Sequence, residues 1–219
     1  MKIQSKFSRR AMLRSGAGAV VGVLAAATST GSMAVTPSNP EGPFYPQHKQ
    51  SDMDADLTLI DGHSEHAAGD VIRVSGRVLD EHGEPIEGAL VDIWQANAHG
   101  RYHHEDDTSE RPEDPNFQGW AMMKTDADGR YSFRTIKPGA YTAMGDWVRP
   151  PHIHYKVSRR GYRELTTQMY WDGDPLNDKD RLLLDVPAAE RSALLVAFDE
   201  SKEVPEGAFN VTLSKVSAA

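Results

Sequence analysis

Alternating apolar and polar residues predict several short β-strands from residue 71 onward. The alternation is clearest where Ile72 and Val74 share one strand face, and where Ile153, Tyr155 and Val157 share another. Turns rich in glycine, proline and aspartate separate such segments, and together they are typical of an antiparallel β-sandwich in an all-β fold. The predicted strands cover residues 71–78, 89–94, 131–133, 153–157, 166–171 and 209–216.

Two stretches depart from this pattern. Residues 35–70 are polar and rich in Pro, Gly, Asp and His, so we predict an extended arm with little regular structure. Residues 187–198 begin with a proline followed by Ala and Leu, and only they look helical, so we expect at most one short helix. The β-sandwich domain is assigned to residues 71–219.

The first 34 residues have the composition of an export signal. They contain basic residues but no acidic ones, and the pair Arg9-Arg10 resembles a twin-arginine signal. The apolar stretch at 17–27 is too short to span a bilayer, so cleavage after residues 32–34 is favoured over a membrane anchor. We therefore expect a signal peptide at 1–34 and a periplasmic, or otherwise exported, mature protein without a membrane span.

Composition narrows the chemistry further. The 219 residues fit one domain, and the net charge of −8 argues against a nucleic-acid partner. The chain has no cysteine, which excludes disulfides, cysteine-ligated zinc, iron–sulfur clusters and thiol catalysis. Any metal must therefore be held by His, Tyr, Asp, Glu or backbone atoms.

His152 and His154 are the first candidate ligands. Residues two apart in a strand point to the same face, so the two imidazoles form half of a metal site. Alternatively, the two histidines are ordinary polar residues on a solvated strand face. Tyr102 and Tyr141 each follow a turn next to a predicted strand, from which a side chain can reach a cleft. Packing in the core or the turn is the alternative for each tyrosine.

The order of short motifs resembles the intradiol ring-cleaving dioxygenase family, most of all the catalytic chain of the protocatechuate 3,4-dioxygenase branch. No single motif is specific for this family, but the occurrence of all of them in the family's order over most of the chain is specific. The segments that carry the resemblance are residues 41–46 (EGPFYP), 76–80 (GRVLD), 91–102 (VDIWQANAHGRY), 114–117 (DPNF), 125–131 (TDADGRY), 138–141 (PGAY), 149–154 (RPPHIH) and 167–170 (TQMY).

This resemblance implies a mononuclear non-haem Fe(III) bound by Tyr102, Tyr141, His152 and His154. Fe(III) is a hard cation that favours anionic oxygen, and it deprotonates tyrosine far below the free pKa of about 10. The two phenolates would offset much of the metal's charge, which makes a buried site tolerable. The fold that the resemblance implies is a sandwich of transthyretin- or immunoglobulin-like topology.

The resemblance also implies an activity, with the β-sandwich at residues 71–219 as the catalytic domain. O2 would cleave a catechol-type aromatic, such as protocatechuate or catechol, to a cis,cis-muconate. Tyr141 would be displaced by the substrate, Arg149 would supply fixed positive charge beside the site, and Gln168 would support it. A salt bridge for Arg149 and an ordinary strand position for Gln168 are the alternatives. Homo-oligomer formation and a partner chain are left open.

Some features leave the substrate and the function open. The segment 142–148 lacks the aromatic-rich pattern of protocatechuate enzymes, although it should border the substrate pocket. His99, His103 and His104 crowd Tyr102, and we interpret them as solvated loop residues whose roles are open. The turn motifs are also similar to transthyretin-like and carboxypeptidase-regulatory binding modules, and an iron-free intradiol-type subunit is a related alternative. A zinc hydrolase would need a third histidine or a carboxylate that no motif provides.

Overall fold

The structure is a computed structural model that describes residues 32–50 and 52–216. The signal peptide predicted at residues 1–34 lies outside the described residues except for its last three positions, and residues 217–219 lie outside as well. Within the described ranges, no helix has the length and apolar character needed to cross a membrane.

Strands dominate the described chain, so the all-β prediction is confirmed. They form two five-stranded sheets, ordered β10-β11-β1-β12 with β4 also on β1, and β3-β2-β7-β8-β9, while β5 and β6 form a separate hairpin. The strands are β1 (Val71–Asp80), β2 (Leu90–Trp94), β3 (Trp120–Lys124), β4 (Arg130–Ile136), β5 (Tyr141–Met144), β6 (Trp147–Arg149), β7 (His152–Ser158), β8 (Leu165–Trp171), β9 (Leu195–Val196), β10 (Phe198–Asp199), β11 (Glu206–Ala208) and β12 (Val211–Leu213).

Both sheets are mixed rather than purely antiparallel. The long pairings of β1 with β4, and of β7 with β2 and β8, are antiparallel as predicted. The short C-terminal strands differ, because β11 and β12 run parallel to β1, and β9 runs parallel to β8. A period of two predicts which face a residue occupies but carries no information on strand direction, which explains the difference.

The main apolar core contains side chains from both sheets. Tyr155 of β7 packs against Tyr131 and Phe133 of β4 with ring centroids 6.2 Å apart in each case, and against Phe209 at 4.8 Å. Burying each such side chain stabilises the fold by roughly 1.5–3 kcal/mol. One face of strand β7 therefore packs between the two sheets. The side chains on the opposite face of β7 are free for a different role.

The helix prediction for residues 187–198 is wrong. The α-helix α1 is Arg181–Asp185, and residues 187–198 instead contain a 3-10 turn at Arg191–Leu194, strand β9 and the start of β10. Asp180 begins α1 by accepting a hydrogen bond from the N–H of Leu183 at 2.9 Å. Pairing of β9 with β8 extends the sheet, and this tertiary contact overrides the helix propensity of the Ala-Leu sequence.

The N-terminal arm has no helix or named strand among its described residues, 35–50 and 52–70. It is nevertheless tied to the sandwich by backbone hydrogen bonds. The N–H of Thr36 donates to Thr212, and that of Asn39 donates to Thr166, at 3.1 and 2.9 Å. The arm therefore has a fixed course along the sheets although it forms no regular ladder.

Candidate metal centre

His152 and His154 lie on β7 and point away from the main core. β7 sits between β2 and β8, with His154 opposite Trp94 on one side and Gln168 on the other. The Trp94 ring stacks on the His154 ring, with centroids 4.8 Å apart and planes 11° apart. The imidazoles are therefore fixed by a central strand and by aromatic packing, not placed on a solvated face.

The loop after β2 brings Tyr102 above this pair. The Asn97 carboxamide oxygen accepts the N–H groups of His99 and Arg101, and Asp107 accepts the N–H of Tyr102 at 2.7 Å. The hydroxyl of Tyr102 lies 3.0 Å from Nε2 of His154. It also lies 3.3 Å from Nε2 of His152. Three potential ligand atoms thus converge on one point.

Tyr141 reaches the same point from the start of β5. Its ring centroid is 5.6 Å from that of Tyr102, with the rings nearly perpendicular, and 5.6 Å from that of His152. The loops that carry the two tyrosines meet closely, because the N–H of Gly139 donates to the Asn97 carbonyl at 2.9 Å. All four residues are buried, with exposed fractions of 4% for Tyr102, 7% for Tyr141, 2% for His152 and 3% for His154.

Close contact between these loops requires glycine at position 100. Gly100 has a φ of +79°, in the left-handed region that residues with a side chain rarely adopt. A Cβ there would lie 2.5 Å from the carbonyl oxygen of Ala140, the residue before Tyr141. The glycine therefore allows the backbone before Tyr102 to approach the backbone before Tyr141.

Burial sets the protonation of the four side chains. It lowers the pKa of His152 and of His154 well below the usual 6.5, and the positive charge of Arg149 lowers both further. Burial also raises the pKa of Tyr102 and of Tyr141 above the usual 10.0, and at Tyr141 the charge of Arg149 opposes this rise. Without a cation, the site holds neutral imidazoles and neutral phenols.

This donor set fits a hard trivalent cation. Nδ1 of His152 donates to the Pro150 carbonyl at 2.7 Å, which leaves Nε2 unprotonated and directed toward Tyr102. Among residues 32–50 and 52–216, no group of three or more His, Cys, Asp or Glu side chains has the spacing of a metal site. A cation bound at this point would have the phenol oxygens of Tyr102 and Tyr141 as donors beside the two imidazoles, a set that suits a hard cation such as Fe(III).

Arg149 lies beside the four donors in a buried polar network. Its Nε donates to Asp180 at 2.7 Å, and its Nη2 donates to Gln168 at 2.6 Å and to the Tyr170 hydroxyl at 3.1 Å. The hydroxyl of Tyr170 in turn donates to Gln168 at 2.9 Å. The structure thus places Arg149 and Gln168, both candidates from the family resemblance, in one network. Asp180 and Tyr170 were not predicted.

The arm covers the site from outside. Phe44 stacks on Tyr102 with ring centroids 4.6 Å apart, and Tyr45 donates from its hydroxyl to Asp92 at 2.8 Å. Gln168 donates from its side chain to the Pro40 carbonyl at 3.0 Å. The motif at residues 41–46 therefore contributes a wall of the site.

The three neighbouring histidines lie outside the donor cluster. His99 and His103 are exposed, as expected for loop residues. The side chain of His104 is only 4% exposed, and its Nε2 lies 3.1 Å from the Tyr45 carbonyl. His104 therefore helps to hold the arm and is not a solvated residue.

A cavity of about 520 Å³ opens in front of the donors. Tyr141, Arg149 and His154 line it, whereas Tyr102 contributes to a second cavity of about 380 Å³. Its other sides come from the arm, the β5–β6 hairpin and the loop after Tyr102, the last contributing residues 106–109 and Arg111. The cavity is large enough for a substituted aromatic ring.

Comparison with known proteins agrees with this site. A family model described as Dioxygenase matches residues 40–216. The chain is similar to the protocatechuate 3,4-dioxygenase beta chain of Burkholderia cepacia, at 44% identity over 160 residues that cover 71% of this chain and 68% of that protein. It is also similar to catechol 1,2-dioxygenase 2 of Acinetobacter lwoffii, at 36% identity over 157 residues that cover 64% and 52%, respectively. The chain thus spans about half the length of the second relative.

A solved structure extends the likeness to the fold. The dioxygenase domain of a dioxygenase carbohydrate-binding protein fusion from Streptomyces sp. SirexAA-E is 31% identical, with a TM-score of 0.63. The match covers 84% of this chain and 100% of that domain. The resemblance found in the sequence motifs is thereby confirmed, and the chain belongs to the intradiol ring-cleavage dioxygenase family of enzymes.

Proposed function

We propose that this protein uses O2 to cleave a catechol-type aromatic between its two hydroxyl-bearing carbons, giving a cis,cis-muconate. The observation that carries the proposal is the buried Tyr102 hydroxyl, 3.0 and 3.3 Å from Nε2 of His154 and His152. Family membership supports ring cleavage in general. The donor chemistry of this chain supports the metal, and the muconate product follows from cleavage between the two hydroxyl-bearing carbons.

The four converging residues, Tyr102, Tyr141, His152 and His154, would hold one non-haem Fe(III). The bound ion supplies Lewis acidity, which draws electron density from a catechol and prepares its ring for reaction with O2. The imidazoles bind as neutral ligands because burial holds their pKa low. The phenols contribute two negative charges once they lose their protons.

Tyr141 and Arg149 act on the substrate side. Because Tyr141 lines the substrate cavity, it would be the phenol that gives way to a catechol, and its oxygen would take up a proton from a catechol hydroxyl. Arg149 holds a fixed positive charge at the same wall, which stabilises negative charge that develops on the ring. Asp180 and Gln168 keep the guanidinium in place, so it does not have to reorient during the reaction.

The visible absorption spectrum of the iron-loaded protein tests the proposal. Tyrosinate bound to Fe(III) gives a broad charge-transfer band, which we expect in the wild type and expect to shift when a catechol is added. Tyr102→Phe should lose the band and most of the bound iron while keeping the far-ultraviolet circular dichroism of the wild type. Tyr162→Phe is the matched control, since Tyr162 lies outside the site.

Product analysis completes the test. Uptake of O2 with formation of a muconate is the expected result for a catechol substrate. A colourless protein that takes up no iron would contradict the proposal and favour a non-catalytic binding module of the same sandwich fold. An equally intense band in Tyr102→Phe would reject Tyr102 as a ligand.

A further inference from the structure

An arginine that the proposed chemistry does not use lines the substrate cavity. Arg111 shares the wall with Tyr141, Arg149 and His154. Its guanidinium carbon lies 5.9 Å from the centroid of the Tyr141 ring. The side chain therefore reaches the part of the cavity next to the proposed metal donors.

Arg111 has no ion-pair partner among the described residues. No carboxylate of residues 32–50 or 52–216 lies within 4.0 Å of its side-chain nitrogens, although the chain is acidic overall. The neighbouring arginines are both paired, Arg101 with Glu113 at 2.7 Å and Arg149 with Asp180 at 2.7 Å. Arg111 is thus the cavity arginine whose charge is available to a bound molecule.

The two carboxylates on the same wall do not pair with Arg111. Asp107 accepts the backbone N–H groups of Tyr102 at 2.7 Å and of Ser109 at 3.0 Å. Asp106 lies 3.8 Å from Nδ1 of His104. Neither is within ion-pair distance of Arg111, so neither neutralises the charge that it brings to the cavity.

The backbone of Arg111 is anchored to the turn that positions Tyr102. Nη1 of Arg101 donates to the Arg111 carbonyl at 2.7 Å, and the Asn97 carboxamide donates to the Pro112 carbonyl at 2.9 Å. Pro112 further restricts the chain at this point. The guanidinium therefore extends from a fixed position relative to the donors, as a recognition group requires.

We propose that Arg111 selects catechols that carry an anionic substituent, a ring carboxylate above all. The planar guanidinium pairs with a carboxylate through two parallel hydrogen bonds, while the catechol oxygens face the four donors. The inference rests on the proposed ring cleavage, because it concerns the substrate of the same cavity. Arg111 acts on binding and orientation, and takes no part in bond cleavage.

Substrate comparison with the iron-loaded protein tests the role of Arg111. We measure kcat/KM for 3,4-dihydroxybenzoate and for 4-methylcatechol, a neutral analogue of similar size. Arg111→Gln should lower kcat/KM for the carboxylated substrate about tenfold to a hundredfold, mainly through KM, and change the neutral one less than threefold. Arg111→Lys should restore part of the loss. Arg160→Gln, an exposed site with the same charge change, should leave both values unchanged.

A binding measurement separates this inference from the proposed function. Tryptophan fluorescence, with Trp147 in the cavity wall, is titrated with 4-hydroxybenzoate and with phenol. We expect tighter binding of the anion in the wild type, and loss of that preference in Arg111→Gln. Equal loss of turnover for both substrates, or equal binding of both phenols by the wild type, would overturn the role of Arg111. Absence of turnover with every catechol would instead reject the ring-cleavage proposal, and the titration would still decide on Arg111.

Discussion

Asp180 stabilises the positive charge of the site, because it is the carboxylate that pairs with the buried Arg149. The ion pair is 2.7 Å long, and both side chains are almost fully buried. Removing one partner of such a pair leaves an uncompensated charge away from water. Asp180 also caps α1 by accepting the N–H of Leu183, so the same carboxylate connects the helix to the site.

Asp180→Asn should therefore lower the free energy of unfolding by about 3–5 kcal/mol. Asparagine caps a helix as well as aspartate does, so the change isolates the lost charge from the lost cap. Urea denaturation at pH 7 measures the effect. Asp185→Asn, at an exposed position in the same helix, serves as the control. Its free energy of unfolding should differ from that of the wild type by less than about 0.5 kcal/mol. Similar stabilities of the two variants would show that the Arg149 charge does not depend on Asp180.

At the level of elements, two loops decide whether the tyrosines meet. The loop after β2 carries Tyr102, and the loop before β5 leads into Tyr141, the first residue of that strand. The backbones of the two loops touch at Gly100 and Ala140. The strands hold the histidines without help from either loop, since β7 is paired on both sides. A substitution that separates the two loops should therefore displace Tyr102 and Tyr141 and leave His152 and His154 in place.

Gly100→Ala tests this division. The variant combines a φ of +79° with a Cβ placed 2.5 Å from a backbone oxygen, so the two loops must separate. We expect loss of most of the tyrosinate–iron absorption band, with the β-sandwich still folded by circular dichroism. Gly62→Ala is matched in backbone conformation, with a φ of +83°, but its Cβ would meet nothing within 4 Å. Gly62→Ala should retain the absorption band. Loss of the band in both variants would show that backbone strain at a positive φ, and not the separation of the two loops, causes the effect.

The elements also show what the sequence pattern could predict. Residues 72–78 and 153–157 alternate clearly, so β1 and β7 were predictable from side chains alone. Residues 187–198 were not, because Leu195 and Val196 pair with β8 through a contact that no local pattern reveals. β5 and β6 were missed for a similar reason, since their hairpin is short and Met144 at its end is exposed.

For the molecule as a whole, the candidate site was predictable in part. His152 and His154 follow from strand period, whereas Tyr102 and Tyr141 were selected by family resemblance. Tyr102 lies 50 residues before His152 and Tyr141 lies 11 residues before it, and neither spacing indicates a shared site. Asp180 could not be predicted as a partner of Arg149, because an aspartate before a short helix is an ordinary cap. Arg111 was missed because it belongs to no motif, and only the cavity shows its position.

We also propose that the whole chain is exported through the twin-arginine route. Arg9→Lys combined with Arg10→Lys should keep the protein in the cytoplasm of a bacterium that has this system, because the route recognises the arginine pair. Cell fractionation followed by immunoblotting measures the distribution. Arg14→Lys, which changes a basic residue outside the pair, should still be exported. Export of the double variant at the wild-type level would reject the twin-arginine assignment.

The parallel pairing of β1 with β11 and β12 has a consequence for the order of folding. Arg73 pairs with Glu206 and Val78 pairs with Val211, so one side of β1 is completed by residues far along the chain. Contacts of such long range form late and slow the folding of a domain. Until residues 206–213 have left the ribosome, β1 has an unpaired edge that can associate with other chains. The sheet that contains β1 should therefore be completed only once residues 206–213 are available.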